Sequence, residues 1–168
     1  MTLEEAKAYL RIETAAEDAL IAGLVASAIG VCEAFVGVAL VRREIVEVLP
    51  ASGGWRRLSA APVHAITSVE RIDEEGRAVA LAPGGYAIDI DAGGDGWVRA
   101  GGTGRLRVTC VAGLAEEAAG VPAALAQGVI RLAAHLYTNR DDAKGPPAAV
   151  AALWRPFRRV RLGRERRA

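Results

Sequence analysis

Residues 17–49, EDALIAGLVASAIGVCEAFVGVALVRREIVEVL, pass from one periodicity to another. In the first part Leu20, Leu24, Ile29, Cys32 and Phe35, with Ile21, Val25 and Val36 alongside, recur at the spacing of an amphipathic helix. Gly37 is a natural stop, because glycine takes the left-handed cap without steric cost. Soon afterwards Arg43-Glu44-Ile45-Val46-Glu47-Val48-Leu49 is strand-like and runs into the turn signals Pro50 and Ser52-Gly53-Gly54. The chain is therefore helical first and β afterwards.

Working outward, Thr2-x-x-Glu5 and Thr14-x-x-Glu17 both fit the capping box, in which a hydroxyl and a carboxylate satisfy free N–H groups reciprocally. They predict a short helix and then the long one. Downstream, Ile66–Ile72 alternates and Glu74-Glu75-Gly76 reads as a hairpin turn. Further strands are expected at Tyr86–Ile90, Trp97–Arg99 and Arg105–Val111, separated by glycine-rich loops. Helix returns after Pro122, with Leu125, Val129, Leu132 and Leu136 on its apolar stripe and Gln127, Arg131, His135 and Thr138 on its polar one. Asp141 to Pro147 reads as a loop, and a last short helix from Ala148 is ended by Pro156. The expected fold is α+β, an antiparallel helical bundle built from the N- and C-terminal segments (helices within 2–36 and 121–154). A small antiparallel β region is inserted at 41–112. The domain plan is one unit over 1–154 with an extended basic C-terminal arm over 155–168.

Of the 168 residues 52% are apolar, but 35 are alanine, so large apolar side chains supply only about a third of the chain, enough for one modest core. The net charge of +1 hides an asymmetry: residues 155–168 carry seven Arg and one Glu, leaving the body acidic. Glu, Arg or Gly interrupts every apolar run, so no membrane span is expected. The acidic start Met1-Thr2-Leu3-Glu4-Glu5 does not fit a signal peptide. Cys32 and Cys110 form neither a disulfide framework nor a zinc motif, and a protein of the reducing cytoplasm is expected.

Catalytic signals are weak. Asp89-x-Asp91 with Asp95-Gly96 resembles a calcium loop, but Gly93 and Ala100 stand where that loop needs ligands. Gly101-Gly102-Thr103-Gly104 lacks the lysine and hydroxyl of a phosphate cradle and leads into a strand, so it reads as a hairpin loop. His64 and His135 have no nucleophile or carboxylate at motif spacing, and both cysteines fall on apolar positions. No catalytic, cofactor-binding or metal residue is assigned.

The tail stands out. Trp154-Arg155-Pro156-Phe157-Arg158-Arg159-Val160-Arg161-Leu162-Gly163-Arg164 combines guanidinium charge with aromatic and apolar anchors. Arg159-Val160-Arg161-Leu162 alternates at period two, as a strand that adds to another protein's sheet edge would. A solvated tail and an arm gripping nucleic-acid phosphates are the alternative readings.

Met1-Thr2-Leu3-Glu4-Glu5-Ala6-Lys7-Ala8-Tyr9-Leu10-Arg11 with Glu17-Asp18-Ala19-Leu20-Ile21 resembles the opening of the head–tail connector (adaptor) proteins of long-tailed bacteriophages and gene transfer agents. Val108–Gly113, Val121–Leu125, His135-Leu136-Tyr137 with Asn139-Arg140, and the ending Leu153–Arg158 are similar to the same family. The resemblance spans the chain, departing at Cys110 and Leu114, where an aromatic is frequent, and in the unusually basic tail. It implies a non-enzymatic ring, usually of twelve subunits, beneath the portal. Such a ring extends the DNA channel without sequence-specific binding and meets the stopper. It implies assembly in the bacterial cytoplasm into a particle neck, with no membrane partner and no cofactor. It also implies that Trp154, Arg155, Pro156, Phe157, Arg158, Arg159, Val160, Arg161, Leu162 and Arg164 dock on the portal. A nucleic-acid-binding module using the tail is the alternative function.

Overall fold

Thr2 caps helix α1 (Leu3–Leu10) through the predicted box: its hydroxyl accepts from the Glu5 N–H while the Glu5 carboxylate accepts from the Thr2 N–H. The second predicted box does not form. Helix α2 (Asp18–Val36) starts after Glu17 without a side-chain cap, and the Glu17 carboxylate instead accepts a hydrogen bond from the Tyr137 hydroxyl. Gly37 ends α2 in the left-handed region at φ 74°, as its position predicts. The computed structural model describes residues 1–139 and 145–159.

These helices belong to a helical unit whose described residues are 1–40, 117–139 and 145–159. It also contains α3 (Ala123–Thr138), α4 (Ala148–Trp154) and 3-10 turns at Ala118–Gly120 and Arg155–Phe157. One face of α2, formed by Ile21, Val25, Ala28, Cys32 and Val36, is buried. The α3 stripe answers it with Leu125, Val129 and Leu132. Lys7 Nζ reaches Asp18 Oδ1 at 2.6 Å, which fastens α1 to the start of α2.

Residues 41–116 form a separate β unit. Its strands are β1 (Arg43–Pro50), β2 (Arg56–Arg57), β3 (Val63–Ile72), β4 (Ala78–Ala80), β5 (Tyr86–Ile90), β6 (Gly96–Ala100) and β7 (Arg105–Ala112). They make two antiparallel sheets, ordered β1-β7-β3-β4 and β2-β6-β5. β7 is the central ladder: Arg43 of β1 pairs with Ala112 and Pro50 with Arg105, while β3 covers its other edge with two register irregularities. Leu106, Val108, Cys110 and Ala112 alternate inward along β7 and join Leu58, Val63, Val69, Val98 and Ala100 in one core shared by both sheets. Gly113 ends β7 where only glycine fits, because a Cβ would lie 2.3 Å from the Arg42 backbone.

The α+β class stands, but the expected helical bundle with a small inserted β region does not. The described residues are 36% helical and 28% strand, and the β segment is a pair of sheets. The reason lies in β7, whose buried alternate side chains give the β segment a core of its own.

The expectation about apolar runs is also corrected. α2 carries only Asp18 and Glu33 as charges over 19 residues, and with a mean hydropathy of 2.1 it is long and apolar enough to cross a membrane. Glycine does not interrupt it. Gly23 and Gly30 sit in the helix interior, with nothing within 4 Å of where a Cβ would stand. Each costs about 0.5–1 kcal/mol against alanine. Gly128 of α3 is different: a Cβ there would meet the Trp154 indole Nε1 at 2.1 Å.

Substitutions at these glycines should therefore differ in sign. Gly30→Ala is expected to stabilise the chain by about 0.5–1 kcal/mol, and Gly128→Ala to destabilise it by about 1–3 kcal/mol through overpacking. Urea unfolding followed by circular dichroism measures both, and equal signs would contradict the assignment.

Candidate functional site

The described end of the chain, residues 154–159, is held to the helical unit by an anchor built on Trp154. α4 ends at this residue, which is wholly buried, and its Nε1 donates to the Leu125 carbonyl at 3.3 Å. Phe35, the penultimate residue of α2, meets the indole at a centroid distance of 5.7 Å and a tilt of 56°. Burying an indole removes roughly 200 Å² from water, on the order of 5 kcal/mol at ~25 cal/mol per Å². That outweighs the helix-propensity cost of about 1 kcal/mol for Gly128, the residue that makes room for the ring.

The next residues turn along the end of α2. Pro156 lies in the 3-10 turn Arg155–Phe157. The Arg158 guanidinium sits 5.8 Å from the Phe35 ring centroid. The Arg159 N–H donates to the Val36 carbonyl at 2.8 Å, satisfying one of the carbonyls that a helix end leaves without an intrahelical partner. A cation at this end of α2 is also favoured by the helix dipole. Segment 154–159 is thereby tied to the helical unit by an indole, a cation–aromatic contact and a backbone hydrogen bond.

The residues expected to dock thus divide. Trp154 is an internal anchor; Arg155, Pro156 and Arg158 are exposed; Phe157 and Arg159 are half-buried. Val160, Arg161, Leu162 and Arg164 lie outside the described residues. The sequence reading missed Phe35, Gly128 and the Leu125 carbonyl as the partners that hold the segment. A glycine in the middle of an apolar helix stripe was the available signal.

The weaker candidates resolve into structural roles. Asp91 closes the β5–β6 turn: its Oδ1 accepts from Gly93 N–H and Asp95 N–H, and its Oδ2 accepts from Trp97 Nε1. Among the described residues no three His, Cys, Asp or Glu side chains are grouped to hold a metal ion. Arg71 donates to the carbonyls of Gly101 and Thr103 and so braces the glycine-rich loop before β7. His64 Nε2 lies 2.8 Å from the Gly113 carbonyl, and His135 Nδ1 lies 3.2 Å from Asn139 Nδ2. Burial, with a smaller contribution from Glu33, pushes the Cys32 thiol up to about 12; burial, with Glu47, pushes Cys110 up to about 11. Near neutral pH both stay protonated and poorly nucleophilic.

Comparison with solved structures finds chains that match over nearly their whole length. A chain from the neck of an empty gene transfer agent particle computed with C6 symmetry has a TM-score of 0.75 and 29% identity, covering 99% of this chain and 93% of that one. A chain from the virion of a native gene transfer agent particle has a TM-score of 0.73 and 28% identity, with coverage of 98% and 92%. The same values hold for a chain from the neck of a native particle computed with C12 symmetry. No protein-family model matches the chain, and no curated protein matches it. The structural neighbours are components of particle necks and virions.

Two outcomes follow from the anchor and the thiols. Trp154→Ala is expected to cost about 3–5 kcal/mol in chemical denaturation, whereas Arg155→Ala, at an exposed position, should change stability by less than about 0.5 kcal/mol. A thiol reagent at neutral pH should label neither cysteine in the folded chain and both after unfolding; rapid native labelling would contradict the burial.

Proposed function

We propose that this chain is a structural subunit of a phage or phage-like particle neck, the head–tail adaptor that forms a ring beneath the portal. The observation that carries the reading is the whole-length likeness, at a TM-score of 0.75, to a chain of a gene transfer agent neck. In this reading the ring extends the DNA channel, joins the portal to the stopper and lets DNA pass without reading its sequence. Twelve subunits accord with the C12 symmetry of one neighbouring neck structure. The protein is then assembled in the bacterial cytoplasm and resides in the particle neck, and its role is non-enzymatic.

Residues 155–168 are the proposed portal-docking arm. The anchor at Trp154 and the hydrogen bond from Arg159 to Val36 set its exit point at the end of α2. Beyond Arg159 nine residues remain, and an extended chain of that length reaches roughly 30 Å. Six of the seven arginines from 155 onward lie at exposed positions or beyond the anchored segment, where they can pair with carboxylates on a partner. Repetition of one arm around a ring raises avidity without tightening each contact.

The test is co-purification with the portal protein of the same gene cluster, comparing the full chain with a truncation ending after Arg159. That truncation keeps Trp154 and the core that depends on it. The full chain is expected to bind, and the truncation to bind at least about a hundredfold more weakly, a loss of roughly 2.7 kcal/mol. Equal binding would place the interface within residues 1–159, the anchored root 155–159 included, and overturn docking by the residues beyond it. No binding by either folded protein would overturn the adaptor role, and strongly salt-dependent, arm-dependent DNA binding would then favour the nucleic-acid module.

A further inference from the structure

The exposed side of α2 is the least explained surface of the helical unit. Viewed down the helix, the exposed residues from Ala19 to Ala34 fill about half the circumference. That half holds Leu20, Gly23, Ala26, Ser27, Gly30 and Val31; its one charged residue, Glu33, is half-buried and its carboxylate accepts from the Leu40 N–H. Leu20 and Val31 are 43% and 38% exposed, although both are large and apolar. Gly23 and Gly30 add an independent sign. Neither has a positive φ, and neither makes room for a neighbour in this chain, yet both weaken the helix. A helix-interior glycine with no use inside its own fold is suited to the close approach of another chain.

A second feature of the same unit fits this ridge. α1 and α3 enclose a shallow groove of about 430 Å³, lined mainly by Ala8, Tyr9, Ala123, Ala126 and Ile130, with Glu5 and Gln127 as its polar members. Tyr9 is 51% exposed at its wall. The buried side of α2 faces α3, so the ridge and the groove lie on different sides of the unit. A convex apolar face and a concave one on different sides of a subunit make a head-to-tail contact, the kind that closes into rings.

We infer that the exposed face of α2 seats in the α1–α3 groove of the next copy of this chain, and that this contact builds the ring. The inference rests on the ring reading above and names its interface. A second copy is favoured over other occupants because the structural neighbours come from necks computed with C6 and C12 symmetry. The size of the face sets its strength. Ala19 to Ala34 is about 24 Å long and roughly 10 Å wide, some 240 Å², well below the ~800 Å² per partner of a stable dimer. One contact alone is weak, and assembly depends on each subunit holding two neighbours in a closed ring or on a template that gathers them.

The test uses the full chain with Ser27→Cys and Gln127→Cys, mixed with the portal and treated with a short bis-maleimide; the native cysteines are fully buried. A ladder of covalent multimers ending at a closed ring is expected from the double variant and from neither single variant. Adding Gly30→Arg should abolish the ladder while leaving the melting temperature unchanged or higher, since the glycine has no close neighbour in the chain. Rings seen by mass photometry without a ladder would overturn the inference and leave the adaptor reading intact. Dimers from Ser27→Cys alone would overturn it in favour of symmetric pairing. Flotation with phospholipid vesicles, abolished by Gly30→Arg and accompanied by no ladder, would overturn it in favour of a bilayer. A ladder without portal binding would support the interface while the adaptor reading failed.

Discussion

The contact between the Trp154 indole and the bare backbone of Gly128 supports the C-terminal half of the helical unit. It places the largest buried side chain of the unit against α3, with its N–H satisfied by the Leu125 carbonyl and its face against Phe35. The described residues after α4, Arg155–Arg159, inherit their position from this point. The Pro156 turn, the placement of Arg158 over Phe35 and the Arg159 hydrogen bond to Val36 all follow within five residues. An arm that must reach a partner needs a fixed root, because any freedom at the root is lost again on binding. The indole supplies such a root, reinforced by Arg158 over Phe35 and by the Arg159 N–H on Val36.

The three helix-interior glycines illustrate how one residue type serves two ends. Gly128 is explained inside the chain, by the ring that lies on it. Gly23 and Gly30 are not, and they fall on a helix face with no charge between Asp18 and Glu33. The same composition makes α2 resemble a membrane span by length and hydropathy. Its buried face is occupied by protein, with Ile21, Val25, Ala28, Cys32 and Val36 in the core, so the apolar excess is one-sided. A one-sided excess suits a partner surface that approaches from one direction.

The charge distribution has a comparable logic. Carboxylates in the body are largely engaged in closing turns and bracing strands: Asp91 holds the β5–β6 turn, Glu47 accepts from the N–H groups of Ser59 and Ala60, and Glu70 forks with Arg107. The basic excess is deferred to the end of the chain. Separated in this way, arm and body carry opposite net charge, which favours contact of the arm with acidic surfaces and suits a segment meant to leave its own subunit.

Local signals in the sequence were enough for the order of elements: the Thr2 box, the Gly37 stop, the turns around Gly76 and Asp91, and the α3 stripe each depend on neighbours within a few residues. They also exposed the basic arm, since charge is read directly from composition. What they could not convey was pairing at a distance. Arg43 lies opposite Ala112, and the two-residue strand Arg56–Arg57 exists only because Trp97 and Val98 stand beside it. A second core in the β segment became visible only when alternate residues of β7 met side chains from both sheets. Trp154 read as a docking aromatic for the same reason: its chemistry is local, but burial is decided by what folds over it. Periodicity and caps are properties of a few consecutive residues, whereas a core is a property of residues that meet only after the chain has closed on itself.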